Sequence, residues 1–191
     1  VAAGLESMVV GDESIAGQVG QALQNSHEIG VTTPHLHRLF QSALRTARKV
    51  AGTTRLGSSG RSVVQVALDV VEAQRASLAG ANVLLVGTGS FARVALGQLR
   101  RRGVGSIAVY SRSGRGEAFA ASQDIEVVPV GGLVEALARV DAIVCVSGST
   151  GSVIDAATLL AARGAGALPP IVDLALTPDV AHDVHELPGV F

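Results

Sequence analysis

The sequence predicts an α/β protein in which an all-α opening segment is followed by a doubly wound parallel sheet. Three observations carry this. Apolar residues between Ile15 and Val71 recur at helical spacing, with no strand-like alternation. From Leu78 onward short apolar runs alternate with helix-length stretches, the pattern of parallel β/α units. The first of those runs ends in a glycine-rich turn that leads directly into a helical stretch. Composition agrees. The 191 residues are 48% apolar and include 23 Gly, a mixture that suits buried parallel strands under close-packed helices.

The same arithmetic excludes several classes. No apolar run approaches the roughly 18 residues a membrane-spanning helix needs, so no membrane partner is expected. A net charge of −1 excludes a strongly basic whole-chain attraction to nucleic acid. One Cys leaves no internal disulfide framework and no Cys-based zinc site, and it fits a reducing, cytoplasmic setting. No signal peptide opens the chain. It begins at Val1 rather than Met and stops just after a Pro-Gly pair, so a piece of something longer is expected.

Taken in order, Ile15, Val19, Ala22, Leu23 and Ile29 fit one face of a first helix. Thr33-Pro34 reads as an N-cap followed by Pro at the first helical position. Leu36, Leu39, Phe40, Ala43, Leu44, Ala47 and Val50 form the stripe of the helix behind it. Ala51–Gly60 reads as a loop, and Ser59 as the cap of a third helix with Val63, Val66, Ala67, Val70 and Val71 on one side. Strands are expected at Ala81–Val86, Ser106–Tyr110, Ile125–Val128, Asp141–Val146 and Pro170–Leu174. Helices are expected at Phe91–Arg102, Gly116–Ser122, Gly132–Arg139 and Asp155–Arg163. Charge divides the helical part: residues 1–30 hold Glu6, Asp12, Glu13 and Glu28 without a Lys or Arg, whereas residues 31–68 hold Arg38, Arg45, Arg48, Lys49, Arg55 and Arg61 without an acid.

The turn Gly87-Thr88-Gly89-Ser90-Phe91-Ala92 is a G-x-G-x-x-A motif between a strand and a helix. Gly87 permits the tight turn, Gly89 lets the backbone approach a pyrophosphate, and Ala92 lets helix and strand pack closely. The helix N-terminus adds free N–H donors and the positive dipole end. This is the phosphate-binding turn of a Rossmann-like dinucleotide domain, unless the glycines serve packing alone. The second strand then selects the coenzyme. An NAD site places Asp or Glu at its end, but here the run is Tyr110-Ser111-Arg112-Ser113-Gly114-Arg115. Arg112 is a planar cation suited to a phosphate, and Ser111 and Ser113 add hydroxyls, so NADPH is expected. The alternative for Arg112 is a solvated loop cation. After the fourth strand, Ser147-Gly148-Ser149-Thr150-Gly151 either lines the nicotinamide side or forms a loop with no ligand.

Catalytic side chains are harder to find. Cys145 sits inside an apolar strand, where burial raises a thiol's pKa and makes it a poor nucleophile. His35 and His37, two apart on a helix, point to different faces and do not make a metal pair. His182, Asp183 and His185 lie on a Pro-bounded tail with no assigned role, and no Ser–His–Asp set is present. In the opening segment Ser7, Asp12, Ser14 and Gln18 surround an apolar stretch at a helix entrance. They either converge on a small polar ligand or act as ordinary caps.

The stretch VAAGLESMVVGDESIAGQV resembles the glutamate-recognition segment of glutamyl-tRNA reductases, whose pattern is roughly GLDSxxxGExQIxGQ. HRLFQSALRTARKV resembles the helix that follows in that family, SxxxVALDV with VLLVGTGSFA its NADPH domain, and IVDLALTPDV its closing IDLAxPRDV strand and turn. The resemblance spans essentially the whole chain in order. It implies a helical part of the catalytic, glutamate-recognition domain over residues 1–58, a connecting helix over 59–77 and a Rossmann-like NADPH-binding domain over 78–191. It implies NADPH-dependent reduction of glutamyl-tRNA to glutamate-1-semialdehyde, in tetrapyrrole synthesis, through attack by a Cys thiolate. Residue by residue, Ser7, Asp12, Glu13, Ser14 and Gln18 fall on the positions that hold the glutamyl group, and Gly87 to Ala92 on the phosphate turn. Implied partners are glutamyl-tRNA, a second subunit bound through C-terminal helices that this chain lacks, and glutamate-1-semialdehyde aminomutase.

Departures qualify the resemblance. Asp12 stands where Glu is usual and Ser14 where Gln is usual, and KRVRTET appears as Arg48-Lys49-Val50-Ala51-Gly52-Thr53-Thr54. The family's nucleophilic Cys belongs to a region before Val1, and Cys145 does not match it, so residues 1–191 alone are expected to be inactive. The basic stretch gains a candidate ligand in tRNA, through Arg45, Arg48, Lys49 or Arg55, against the alternative of a solvated helix face. Two other readings stay open: a shikimate dehydrogenase-like NADP enzyme, which leaves the opening segment unexplained, and a non-catalytic NADP-binding module.

Overall fold

The structure, a computed structural model, describes residues 1–7, 10–12, 14–54, 62–74, 77–148, 151–164 and 166–188. The chain divides into two units, Val1–Val66 and Ala67–Phe191. The first is helical. Helix α1 (Ser14–Glu28) packs on α2 (Pro34–Thr53), with Leu23, Leu44 and Ala47 buried. Helix α3 (Val63–Gln74) begins in the first unit and ends in the second.

Local chemistry explains where these helices start and stop. Past α1, Gly30 takes a φ of 74°, the Val31 N–H reaches Ser26 O at 3.1 Å and the Gly30 N–H reaches His27 O at 3.0 Å. This is a Schellman ending. It leaves Ile29, expected on the buried face, 74% exposed beyond the helix. Thr33 caps α2 as expected, its hydroxyl accepting from Leu36 N at 3.3 Å. The helix runs on to Thr53, three residues into the expected loop, because the Thr53 and Thr54 hydroxyls satisfy Lys49 O and Val50 O at its end. Of its expected stripe, Leu36, Leu39 and Phe40 are exposed. Ser59 and the rest of that loop from Arg55 lie outside the described residues. The hydroxyl at the start of α3 is that of Ser62, which accepts from Gln65 N at 3.2 Å. The buried side of α3 is Val64, Leu68 and Val71, with Val70 turned outward.

The second unit holds a five-stranded parallel sheet of order β3-β2-β1-β4-β5. The strands are β1 (Asn82–Val86), β2 (Ser106–Tyr110), β3 (Glu126–Val128), β4 (Ala142–Cys145) and β5 (Ile171–Asp173). The connecting helices are α4 (Ser90–Arg101), α5 (Gly116–Gln123), α6 (Leu133–Leu137) and α7 (Ala156–Arg163). Pleating sends alternate side chains to opposite faces. On one face Leu84, Val86, Tyr110, Ile143 and Cys145 share a core with Leu137, Ile154, Leu159 and Val184. Val83, Leu85, Val109 and Val144, also buried, alternate with them along the strands. Val184 belongs to a 3₁₀ turn (His182–Glu186) in the tail that the sequence left without a role. Burial of Val184 and a hydrogen bond from Ala156 N to the Asp183 side-chain Oδ1 at 3.3 Å tie the tail to α7. The strand order reverses between β1 and β4, the point at which such sheets open a crevice at their carboxyl ends.

Candidate functional site

That crevice is built by the turn after β1. The Gly87 N–H donates to Tyr110 O at 2.9 Å, and its φ of 120° is one that L side chains rarely adopt. A Cβ on Gly87 would lie 2.7 Å from Ser147 Cα and 2.8 Å from Ser147 N. The turn and the loop after β4 therefore touch backbone to backbone. Gly89 is the N-cap of α4, with no side-chain cap bond and no atom within 4 Å of where its Cβ would lie. Ser90, Phe91 and Ala92 form the first turn behind it, and Ala92 is fully buried. Its amide is tied to Gly89 O at 3.1 Å, and the start of α4 carries no side-chain cap.

A cavity of about 260 Å³ lies at this edge, lined by Gly87 and Thr88 from the turn, Ser111, Arg112, Ser113 and Arg115 from beyond β2, and Ser147 and Val153 from beyond β4. Among the described residues no carboxylate lines it. The hydroxyls of Ser111 and Ser113 are 3.1 Å apart, and Arg115 Nε donates to Ser113 Oγ at 2.9 Å. Arg112 reaches across to the loop after β4, donating to Ser152 O at 3.1 Å and Gly151 O at 3.4 Å. The structure thus brings Gly87 and Thr88 together with the Ser111–Ser113 rim, which the sequence assigned to one ligand from separate segments, whereas Gly89, Ser90, Phe91 and Ala92 are not among the residues that line the cavity. It adds Arg115, which the sequence offered at the same strand end but did not assign.

Beneath the cavity the loop after β4 is held by Asp179, which is fully buried. Its Oδ2 accepts the Ser147 N–H at 2.7 Å, and its Oδ1 accepts the Ser147 hydroxyl. Its main-chain O accepts Ile154 N at 3.0 Å and Val153 N at 2.6 Å. Asp173, at the end of β5, shapes the turn that delivers Asp179, accepting Ala175 N at 3.0 Å and Val180 N at 2.9 Å. Cys145 is fully buried, and burial first, then the charges of Asp173 and Asp179, push its thiol well above the ordinary range. It is no nucleophile in this state. Ser149 and Thr150 lie outside the described residues.

The opening segment is a separate cluster in the first unit. Gly4, at φ 69°, packs so closely on Asp12 that a Cβ would meet Asp12 N at 2.7 Å. Gly4 O accepts both Gly11 N, at 2.9 Å, and the Ser7 hydroxyl, at 2.8 Å. The buried Asp12 carboxylate accepts Ser14 N at 2.9 Å and Val63 N at 3.3 Å, so it caps the starts of α1 and α3 together. Gln18 is exposed and its amide lies 3.5 Å from Ser14 Oγ. Contacts thus link Ser7 through Gly4 to Asp12, Asp12 to Ser14 and Ser14 to Gln18, and Glu13 lies outside the described residues. Among the described residues no cluster of His, Cys, Asp and Glu could hold a metal, and no helix is long and apolar enough to cross a membrane.

Comparison with known proteins gives two family matches. Residues 1–54 match the family described as Glutamyl-tRNAGlu reductase, N-terminal domain, and residues 69–191 the family described as Shikimate / quinate 5-dehydrogenase. Over its whole length the chain is 42% identical to glutamyl-tRNA reductase of Clavibacter michiganensis, of which it covers 44%, and 43% identical to that of Micrococcus luteus, of which it covers 45%. It therefore spans about half the length of the curated relatives it matches. Among solved structures it is similar to glutamyl-tRNA reductase from Methanopyrus kandleri, at 30% identity and a TM-score of 0.62, covering 100% of this chain and 49% of that one.

Proposed function

This chain belongs to the glutamyl-tRNA reductase family, with residues 69–191 matching the family described as Shikimate / quinate 5-dehydrogenase, and we propose that it supplies the NADPH site and part of the glutamyl site for the reduction of glutamyl-tRNA to glutamate-1-semialdehyde. In this reading the product enters tetrapyrrole synthesis. The observation that carries the coenzyme half is the single cavity shared by the Gly87–Thr88 turn and the Ser111–Arg115 rim. The residues fit the group. The open space beside Gly89 and the uncapped start of α4 accommodate a pyrophosphate, while the missing Cβ of Gly87 lets the loop after β4 close against the turn. Arg112, Arg115 and the two serine hydroxyls suit a 2′-phosphate, and among the described residues no carboxylate lines the cavity to hold a free ribose 2′-hydroxyl. NADPH, when bound, supplies the hydride.

The chain's own residues then bind and orient. A dianionic phosphate competes with the neutral carbonyls of Gly151 and Ser152 for Arg112, and charge-assisted bonds are about twice as strong. In the first unit Ser7, Asp12, Ser14 and Gln18, with Glu13, hold the glutamyl group. Asp12 contributes fixed negative charge for the ammonium while its oxygens brace α1 and α3. The thiolate that accepts the glutamyl group comes from outside residues 1–191, because Cys145 is enclosed. Residues 1–191 alone are accordingly expected to leave glutamyl-tRNA unreduced. The complete protein is proposed to work in the cytoplasm as a homodimer and to pass its aldehyde to glutamate-1-semialdehyde aminomutase.

Coenzyme titration of the full-length protein tests the reading. NADPH should bind at least tenfold more tightly than NADH, and Arg112→Ala should narrow that ratio. Equal or tighter binding of NADH would overturn the assignment of the rim. Loss of glutamyl-tRNA reduction in Ser7→Ala or Gln18→Ala, with NADPH binding intact, tests the glutamyl site separately.

A further inference from the structure

The closing motif IVDLALTPDV carries two carboxylates, Asp173 and Asp179. Asp173 shapes the turn, and Asp179 is a fully buried carboxylate whose two oxygens accept the amide and the hydroxyl of Ser147, 32 positions earlier. Ser147 is also the residue whose backbone would collide with any side chain on Gly87. A continuous path therefore runs from Asp179 to Ser147 to the phosphate turn. Loss of a buried carboxylate's bonds matters more than their number implies, because whatever remains buried must find new partners.

We propose that Asp179 is a positioning residue for the coenzyme: by holding the amide and hydroxyl of Ser147 it fixes the distance between the loop after β4 and the Gly87 turn, and so the width of the crevice for the pyrophosphate and nicotinamide half of NADPH. The inference rests on the NADPH reading. It also predicts which half of the coenzyme feels the residue. The side chain of Asp179 holds the start of the loop, whereas its main-chain oxygen holds the end, at Val153 and Ile154. Replacing the side chain alone disturbs Ser147 and leaves the Gly151–Ser152 carbonyls, which face Arg112, anchored through that main-chain bond.

The test uses the full-length protein with Asp179→Asn, an isosteric change whose amide offers one acceptor where the carboxylate offered two. Dissociation constants are measured for NADPH and for adenosine 2′,5′-bisphosphate, which carries the 2′-phosphate but lacks the nicotinamide half. The expected result is an NADPH constant raised about tenfold with the bisphosphate constant within about twofold of the parent. A substitution that merely loosened the fold would weaken both ligands alike, and that outcome, or no change in either, overturns the proposal. If Asp179→Asn does not fold, Ser147→Ala carries the same test, since it removes only the hydroxyl arm, with an expected split of about threefold. Failure of the unsubstituted protein to bind NADPH would overturn the coenzyme reading itself, and is distinguished by that control.

Discussion

At Gly87 one hydrogen atom separates the turn after β1 from the backbone of Ser147, while at Gly89, two residues on, a Cβ would point into open space. The two glycines therefore separate stability from binding. Gly87→Ala combines a left-handed φ of 120° with a 2.7 Å collision, and is expected to cost roughly 2–4 kcal/mol in urea unfolding and to abolish coenzyme binding. Gly89→Ala has a φ of −76° and no neighbour to displace. Its unfolding free energy should stay within about 0.5 kcal/mol of the parent, because the added methyl meets no protein atom. NADPH should nonetheless bind more weakly, because that methyl stands where the pyrophosphate approaches. A Gly89→Ala protein that binds NADPH normally would show that the pyrophosphate lies elsewhere. Cys145 poses the same question for chemistry. Its thiol is fully buried and held in the neutral form, so a thiol reagent at pH 8 should label it only after denaturant is added. Rapid labelling of the native protein would contradict the packing around β4.

Element by element, what was legible in the sequence was what is local. Apolar runs of four or five residues read as buried strands, and Thr33-Pro34 marked a helix start, because each feature is decided by neighbours a few residues away. The Asp155 cap of α7 is of this kind: its carboxylate accepts Thr158 N at 2.8 Å and the Thr158 hydroxyl at 2.6 Å. Those bonds, hydroxyl first, lower its pKa. A carboxyl whose folded pKa lies below the unfolded one stabilises the fold above the ordinary carboxylate range and loses that contribution as pH falls through the folded value. Asp155→Ala should therefore cost about 1 kcal/mol near neutral pH, and the difference in urea midpoint from the parent should vanish in acid. A difference that persists in acid would mean that the cap acts without its charge. What was not legible is what joins distant positions. Asp12 caps a helix that starts 51 residues later, and Asp179 anchors a loop 32 residues earlier. No spacing rule encodes either pairing. The offset between Ser59 and Ser62 as the cap of α3, and between the expected and observed stripes of that helix, came from two overlapping periodicities that only burial of Leu68 decides. Arg115 was as visible as Arg112, but only the cavity distinguishes a lining cation from a solvated one.

Across the whole molecule, near-zero net charge conceals a division that the fold turns into a surface. On α2 the cations Arg38, Arg45 and Lys49 fall within roughly 40° of arc at about 100° per residue, with Arg48 beside them, and all four are exposed. Of the buried residues of α2, Ala47 lies opposite Arg38, Arg45 and Lys49, and Leu44 about 120° from them. None of the four cations forms an ion pair among the described residues, in contrast to Arg102, which is shared between Asp69 and Glu72. Arg55, the other candidate, lies outside the described residues. An unneutralised strip of this kind is the form in which a chain of net charge −1 can still bind a phosphodiester backbone. If it carries tRNA, binding should release counterions, and the logarithm of affinity should fall linearly with the logarithm of salt concentration by about 0.7–0.9 per phosphate contacted. Replacing Arg38, Arg45 and Lys49 together by Gln in the full-length protein should then lower that slope by about 2 and weaken glutamyl-tRNA binding most at low salt. NADPH affinity should not move, since among the described residues those that line the coenzyme cavity belong to the second unit. A slope equal to the parent's would return these cations to solvent and place the tRNA contact on another part of the protein.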